Sequence, residues 1–364
     1  MLTRLRSFLS SANKRILIRS FILEIKGDFL NIFFRNRISF RNSARQFHGR
    51  INIAGFPGIS YGDHRSGWNY AMRSISSLHN TSGILFDPFI ERTFAWNPKG
   101  IRPHLVPWIG FIHVPPCIPS YLPQNQSNKE IFNSAAWRKS LPFCKGLFTL
   151  SAYHKSYLET LIRLPVNDLL HPTEFPELTW SSKLFHQNKE KKIIQIGWWL
   201  RKIYSIHRLR AKGYQKIFLM KNEDNMEEIM KRELEHTPGK EFLTPECIAQ
   251  TKTMKFIANN QYDRLLSENI VFLDLYDASA NNTIVECIAR NTPILVNPIA
   301  PVVEYLGIDY PLYFTSLEEA AEKIGDTDII LRSHHYLVNH KIKAKLTGDY
   351  FRQSLISSEI YQSL

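Results

Sequence analysis

Asn281, Asn282, Thr283 and Glu286 stand between two short apolar runs, 270–273 and 294–296, and their types and spacing suit the binding of a phosphorylated sugar. Small polar residues that cap helices well are followed by a stretch able to make a short helix over 283–290. The free N–H groups and positive dipole end of such a helix favour phosphate. A carboxylate one turn in, at Glu286, can reach sugar hydroxyls beside a bound diphosphate. A lone Glu at that place also serves simply to complement the helix dipole, and both readings stand. A second group of reactive residues, Asp63, His64 and Arg65 with Gly67, follows a glycine turn after the apolar run 51–54. They suit contacts to an acceptor or a phosphate, and they equally suit a solvated loop. His113 ends the apolar run 106–112. Its imidazole titrates near neutrality and can act as a base or donate to a hydroxyl, or it can cap the strand against a carbonyl. His154, His171 and His207 have weaker claims, and no pair has metal-ligand spacing.

The elements that must hold these residues are strands and short helices in alternation. The runs 51–54, 84–87 and 106–112 predict one set of strands. The runs 191–197, 216–221, 270–273 and 294–296 predict another. A helix is expected over 69–78. Gly197 ends one strand and is followed by the basic pair Arg201 and Lys202. Pro172, Pro176 and the polar run 181–192 read as a hinge between two halves.

The segment 280–314, with Glu286, Thr292-Pro293-Ile294-Leu295, Glu304 and Tyr310-Pro311, resembles the nucleotide-sugar half of GT-B glycosyltransferases, of the retaining group 1/family 4 type. The resemblance covers about 51–324 as scattered short matches in a consistent order. It implies an α/β fold of two Rossmann-like domains facing each other across a cleft. It also implies donor binding by Gly197, Arg201, Lys202, Asn281, Asn282, Thr283 and Glu286, the two cations neutralising the departing diphosphate without a metal or other cofactor. Many retaining members carry two glutamates in an E-x7-E spacing; here Glu286 fills the second position and Ala278 stands at the first, with Asp277 beside it. Asp63, His64 and His113 are the candidate acceptor-side catalytic groups, and Arg65 and Gly67 belong to an acceptor or phosphate loop.

Composition fits this organisation. A chain of 364 residues exceeds what one core usually fills. The first fifty residues hold eleven Lys and Arg against Glu24 and Asp28, a net +9 out of +13 for the whole chain. Their interleaved apolar residues predict a basic amphipathic helix, for an anionic membrane surface, for packing on the body of the protein, or for nucleic-acid phosphates. Cys117, Cys144, Cys247 and Cys287 are expected to be reduced and buried, as in a cytosolic protein. No apolar run approaches the length of a bilayer span. The expected layout is a basic segment 1–50, an acceptor domain 51–180, a nucleotide-sugar domain 181–325 and a helical closing segment 326–364. The expected protein is a cytoplasmic glycosyltransferase, peripheral on the inner face of the membrane, acting on a glycan, lipid-linked or other cell-envelope acceptor. A DNA-base-modifying glycosyltransferase and a non-catalytic nucleotide-sugar-binding or assembly protein are the alternatives.

Overall fold

The computed structural model describes residues 49–53, 67–97, 100–220, 226–237, 240, 243–255 and 257–364. Asp63, His64, Arg65 and all of the basic segment except Gly49 and Arg50 therefore lie outside the described residues. The described chain forms two five-stranded parallel sheets with helices between the strands. The first consists of β1 (Ile51–Asn52), β2 (Ile84–Asp87), β3 (Trp108–Phe111), β4 (Cys144–Thr149) and β5 (Val166–Asp168), paired in chain order. The second consists of β6 (Lys192–Ile196), β7 (Gln215–Leu219), β8 (Thr251–Met254), β9 (Ile270–Leu273) and β10 (Ile294–Val296), in the order β10-β9-β6-β7-β8. Its winding reverses between β6 and β9, and in an open parallel sheet the crevice at such a reversal is where ligands bind.

Strands buried on both faces must be apolar throughout, and β3 and β9 are buried at every residue. In the first domain Phe111 stacks on Phe148 at 5.1 Å, and Trp68 meets Phe111 edge-on at 4.8 Å. In the second, the fully buried Val271, Phe272 and Leu273 pack with Ile284, Val285 and Ile288 of the helix Asn282–Arg290. That helix ends with Asn291 in the left-handed conformation, φ 59°, as its Asn allows. It is anchored behind by a buried pair, Arg290 Nη2 to Asp263 Oδ1 at 2.7 Å.

Several boundaries differ from expectation for local reasons. The helix expected over 69–78 is Trp68–Ser74 followed by a tight 3-10 turn, Ser76–Leu78. Ser74 Oγ donates back to the Tyr70 carbonyl at 2.8 Å, the kind of side-chain competition that weakens a helix end. The hinge run contains a helix, Ser182–Gln187, because Ser181 Oγ accepts from the Leu184 amide and Phe185 is buried against Trp180. Nor are the cysteines uniformly buried. Cys144 and Cys287 are, but Cys117 is exposed and Cys247 half-buried, because both lie on surface segments between strands.

The C-terminal stretch serves both domains. The helix Thr327–Val338 gives Ile330 and Leu337 to the second, and Gly348–Ser357 and Glu359–Gln362 return to the first with Phe351, Leu355, Ile360 and Tyr361. Arg50 Nη1 donates to the carbonyls of Tyr361 at 3.3 Å and Gln362 at 3.1 Å, fastening the start of the described chain to its end. No helix among the described residues is long and apolar enough to cross a membrane.

Candidate active site

The carboxyl ends of β6 and β9 open onto a cleft of about 1000 Å³ whose walls come from both domains. On the second-domain side stand Trp198, Trp199, Arg201, Asn281 and Asn282; on the first-domain side, Gly67, Trp68, His113, Leu150 and His171. Of the residues proposed from the sequence, the fold thus brings Gly67, His113, Arg201, Asn281 and Asn282 to one cavity.

Gly197 leaves β6 with φ +74°, where a side chain would be strained, and a Cβ there would sit 3.4 Å from the Arg201 guanidinium. The turn that follows folds Arg201 back on itself. Its Nε donates to the Ile196 carbonyl at 3.1 Å and its Nη1 to the Trp199 carbonyl at 2.6 Å, which leaves Nη2 3.5 Å from Thr283 Oγ1. Burial lowers its pKa to about 10, with Tyr262 and Glu286 opposing the shift, so the guanidinium stays charged at neutral pH. Lys202 parts from it: Nζ pairs with Asp274 Oδ1 at 2.7 Å while Ser205 Oγ donates to Oδ2 at 2.7 Å. The expected pair of phosphate cations is therefore divided, with Arg201 on the cleft wall and Lys202 locking the loop behind it.

The helix start also differs from expectation. The helix opens at Asn282, one residue early, because Asn281 caps it: Oδ1 accepts from the amides of Thr283 at 3.0 Å and Ile284 at 3.4 Å. An anion there meets the amide of the exposed Asn282, or must displace the Asn281 cap. Glu286 is 2% exposed and accepts the hydroxyl hydrogen of Tyr262, so the structure turns it into the wall rather than onto the cleft surface. Thr283, equally buried, faces the cleft through Arg201.

His113 is held from three sides. Its Nε2–H donates to the Pro88 carbonyl at 2.9 Å, which fixes the tautomer and leaves Nδ1 as the lone-pair nitrogen. The ring stacks on Phe89 at 4.3 Å and meets the edge of Trp68 at 4.4 Å. Burial drives its pKa down to about 3, against the Pro88 bond, with His171 lowering it further. The expected base is thus a neutral hydrogen-bond acceptor. Its backbone is set by Glu91, whose Oε1 accepts from the amides of His113 and Val114, each at 2.6 Å. Glu91 is fully buried, and desolvation raises its pKa to about 7. Of the other histidines, His154 is a buried strut: Nδ1 meets Ser279 Oγ and Nε2 meets Asn128 Oδ1, each at 2.9 Å.

The polar loop after β9 joins the domains. Asp277 Oδ2 accepts from the Cys117 amide at 2.8 Å and the Tyr153 hydroxyl at 3.2 Å. Glu304 accepts the Ala152 and Tyr153 amides at 2.8 and 3.2 Å, at the start of the helix Ala152–Leu161. Sequence reasoning missed Glu91 and Tyr262, which touch the site only through other residues. It also missed Trp96, Tyr121 and Arg232 on the cleft wall, which stand in no motif.

No family model matches the chain, and no curated protein does. Solved structures do. A trehalose-6-phosphate synthase studied for glycosyl transfer with retention superposes with TM-score 0.52 at 11% identity, over 81% of this chain and 77% of that one. A sucrose-phosphate synthase of Thermosynechococcus elongatus gives TM-score 0.52 at 11% identity, over 70% and 67%. An E. coli trehalose-6-phosphate structure bound with UDP-2-fluoro glucose gives 0.51 at 11%, over 81% and 77%. The chain has the GT-B fold of these glycosyltransferases.

Proposed function

We propose that this chain is a metal-independent glycosyltransferase, moving a sugar from a nucleoside diphosphate sugar to a hydroxyl of a glycan, lipid-linked or other cell-envelope acceptor. The observation that carries the reading is the placing of Arg201 against Thr283 at the switch point of the second sheet, on a cleft that His113 and Gly67 line from the other domain. A departing diphosphate develops negative charge, and a fixed guanidinium beside a helix start stabilises it with little reorganisation. The structurally similar protein bound with UDP-2-fluoro glucose supports a uridine diphosphate donor. Neutral His113 accepts a hydrogen bond from a sugar hydroxyl at Nδ1 and orients the ring. Asp63 and His64, four and three residues before Gly67 in the sequence, are the remaining candidates for the acceptor-side base. In the cell the enzyme is cytoplasmic, its basic segment resting on the anionic inner face of the membrane.

A second reading, a nucleotide-sugar binder without transfer, is favoured by one feature. The position of the first glutamate in the E-x7-E spacing is the buried Ala278, and the neighbouring Asp277 is engaged by Cys117 and Tyr153. The deciding experiment measures release of UDP from UDP-sugars with and without glycan, lipid-linked and DNA acceptors, beside calorimetric titration of UDP. Acceptor-dependent release supports transfer, UDP binding without release supports the second reading, and failure to bind any nucleoside diphosphate overturns both.

A further inference from the structure

A second cavity, about 1060 Å³, opens in the second domain where the chain enters β7, at the opposite edge of the sheet from the cleft. Its wall carries four cations, Arg208, Arg210, Lys212 and Lys216, against two carboxylates, Glu318 and Glu322. Arg210 and Lys212 are exposed and make no ion pair among the described residues. Lys216 is the telling member. It is 6% exposed, and its Nζ donates to the carbonyls of His207 at 2.6 Å and Leu209 at 3.4 Å. Two of three N–H groups are thereby used, and no carboxylate among the described residues neutralises the charge. A buried ammonium without a counter-ion is costly, and burial lowers its pKa accordingly. Beside it His207 is 3% exposed, and its ring nitrogens close no hydrogen bond with a described residue, although the Ile248 backbone lies close.

We propose that this cavity binds a small phosphorylated metabolite. Its phosphate lies between Arg210, Lys212 and the third N–H of Lys216, where charge-assisted hydrogen bonds are strongest. Its organic part lies against Tyr214 and the apolar face of Leu317 and Ala321. Concavity favours a small molecule over a nucleic-acid backbone, which would bring further phosphates against Glu318 and Glu322. The proposal does not depend on the donor reading of the cleft.

The test is calorimetric titration of inorganic phosphate and of glucose 6-phosphate into the full chain. UDP is kept in excess to occupy the cleft, and Arg201→Ala is the control for binding there. The double variant Arg210→Glu/Lys212→Glu changes only exposed side chains, so its fold is retained, as a melting curve checks. The expected result is saturable glucose 6-phosphate binding that survives Arg201→Ala and weakens about tenfold or more in the double variant, the scale of a lost charge-assisted contact. Undiminished affinity in the folded double variant, or binding by neither probe, would overturn the site. Phosphate binding as tightly as glucose 6-phosphate would overturn the assignment to a metabolite.

Discussion

Tyr262 donates its hydroxyl hydrogen to Glu286 inside the wall behind Arg201, so the carboxylate expected to meet the donor is held by a phenol instead. If Glu286 exchanges this partner for a ribose, Glu286→Gln weakens UDP binding by about one to two decades, the worth of a hydrogen bond to a charged group. If it only complements the helix dipole, stability falls by about 0.3–1 kcal/mol and UDP affinity holds. Calorimetry and a melting curve on the same protein separate the two. Tyr262→Phe, which takes one hydrogen bond from a buried carboxylate, is expected to lower stability by about 1.5–3 kcal/mol in denaturant titration.

Arg201 rather than Lys202 is expected to meet the nucleotide's phosphates, Lys202 being committed to Asp274. UDP at about 100 times its dissociation constant should stabilise the protein by about 2.7 kcal/mol without added metal. Arg201→Ala should remove that gain, and Lys202→Ala should lower the melting temperature while keeping a UDP-induced rise. Equal UDP-induced stabilisation in wild type and Arg201→Ala would contradict the donor site.

His113 should not shape the pH profile of transfer near neutrality, since its pKa lies at about 3. His113→Ala is expected to lower kcat by about three- to tenfold, the loss of a neutral hydrogen bond. The limbs of kcat against pH should stay where they were. Disappearance of a limb near pH 6.5 in the variant would show that His113 titrates in the working enzyme.

Glu91 offers a stability test. Its folded pKa is raised from 4.5 to about 7, so the folded state holds the proton more tightly than the unfolded one. Its contribution is therefore greatest below pH 4.5 and is lost as pH rises through 7, on the order of 3 kcal/mol. Glu91→Gln copies the protonated acid and keeps an oxygen for the His113 and Val114 amides. Relative to wild type it should gain stability between pH 5 and 8, read as the difference between two denaturant series. A flat difference would mean that Glu91 is not the titrating group.

Removal of residues 1–47 should abolish binding to anionic liposomes and leave UDP affinity unchanged. The cut spares Arg50, which fastens Tyr361 and Gln362. Attraction by the intact chain should weaken with salt, surface charges being screened beyond about 8 Å at physiological ionic strength. Liposome binding undiminished by the truncation would place the membrane contact elsewhere.

The buried strands were legible because a strand covered on both faces must be apolar, as 270–273 and 294–296 are. β8 was not, because it is an edge strand whose Lys252 and Thr253 are exposed and break the apolar run. At the site, Arg201, Asn281 and His113 were legible because each lies on the segment that follows the carboxyl end of a strand, where the chain must turn into the crevice. What each does there was not. Asn281 spends its side chain on its own helix, Lys202 on Asp274, and His113 loses its basicity to burial. Such assignments depend on which partner lies within 3 Å, and spacing along the chain carries no record of it.

The return of Phe351, Leu355, Ile360 and Tyr361 to the first domain sets an order on biosynthesis. The strands of that domain emerge early, yet its interior lacks its last wall until residues 351–361 have been made. The second domain, whose buried core is complete by Leu346, can close first and wait. A chain cut before Phe351 would therefore unsettle the half that was synthesised the earlier of the two.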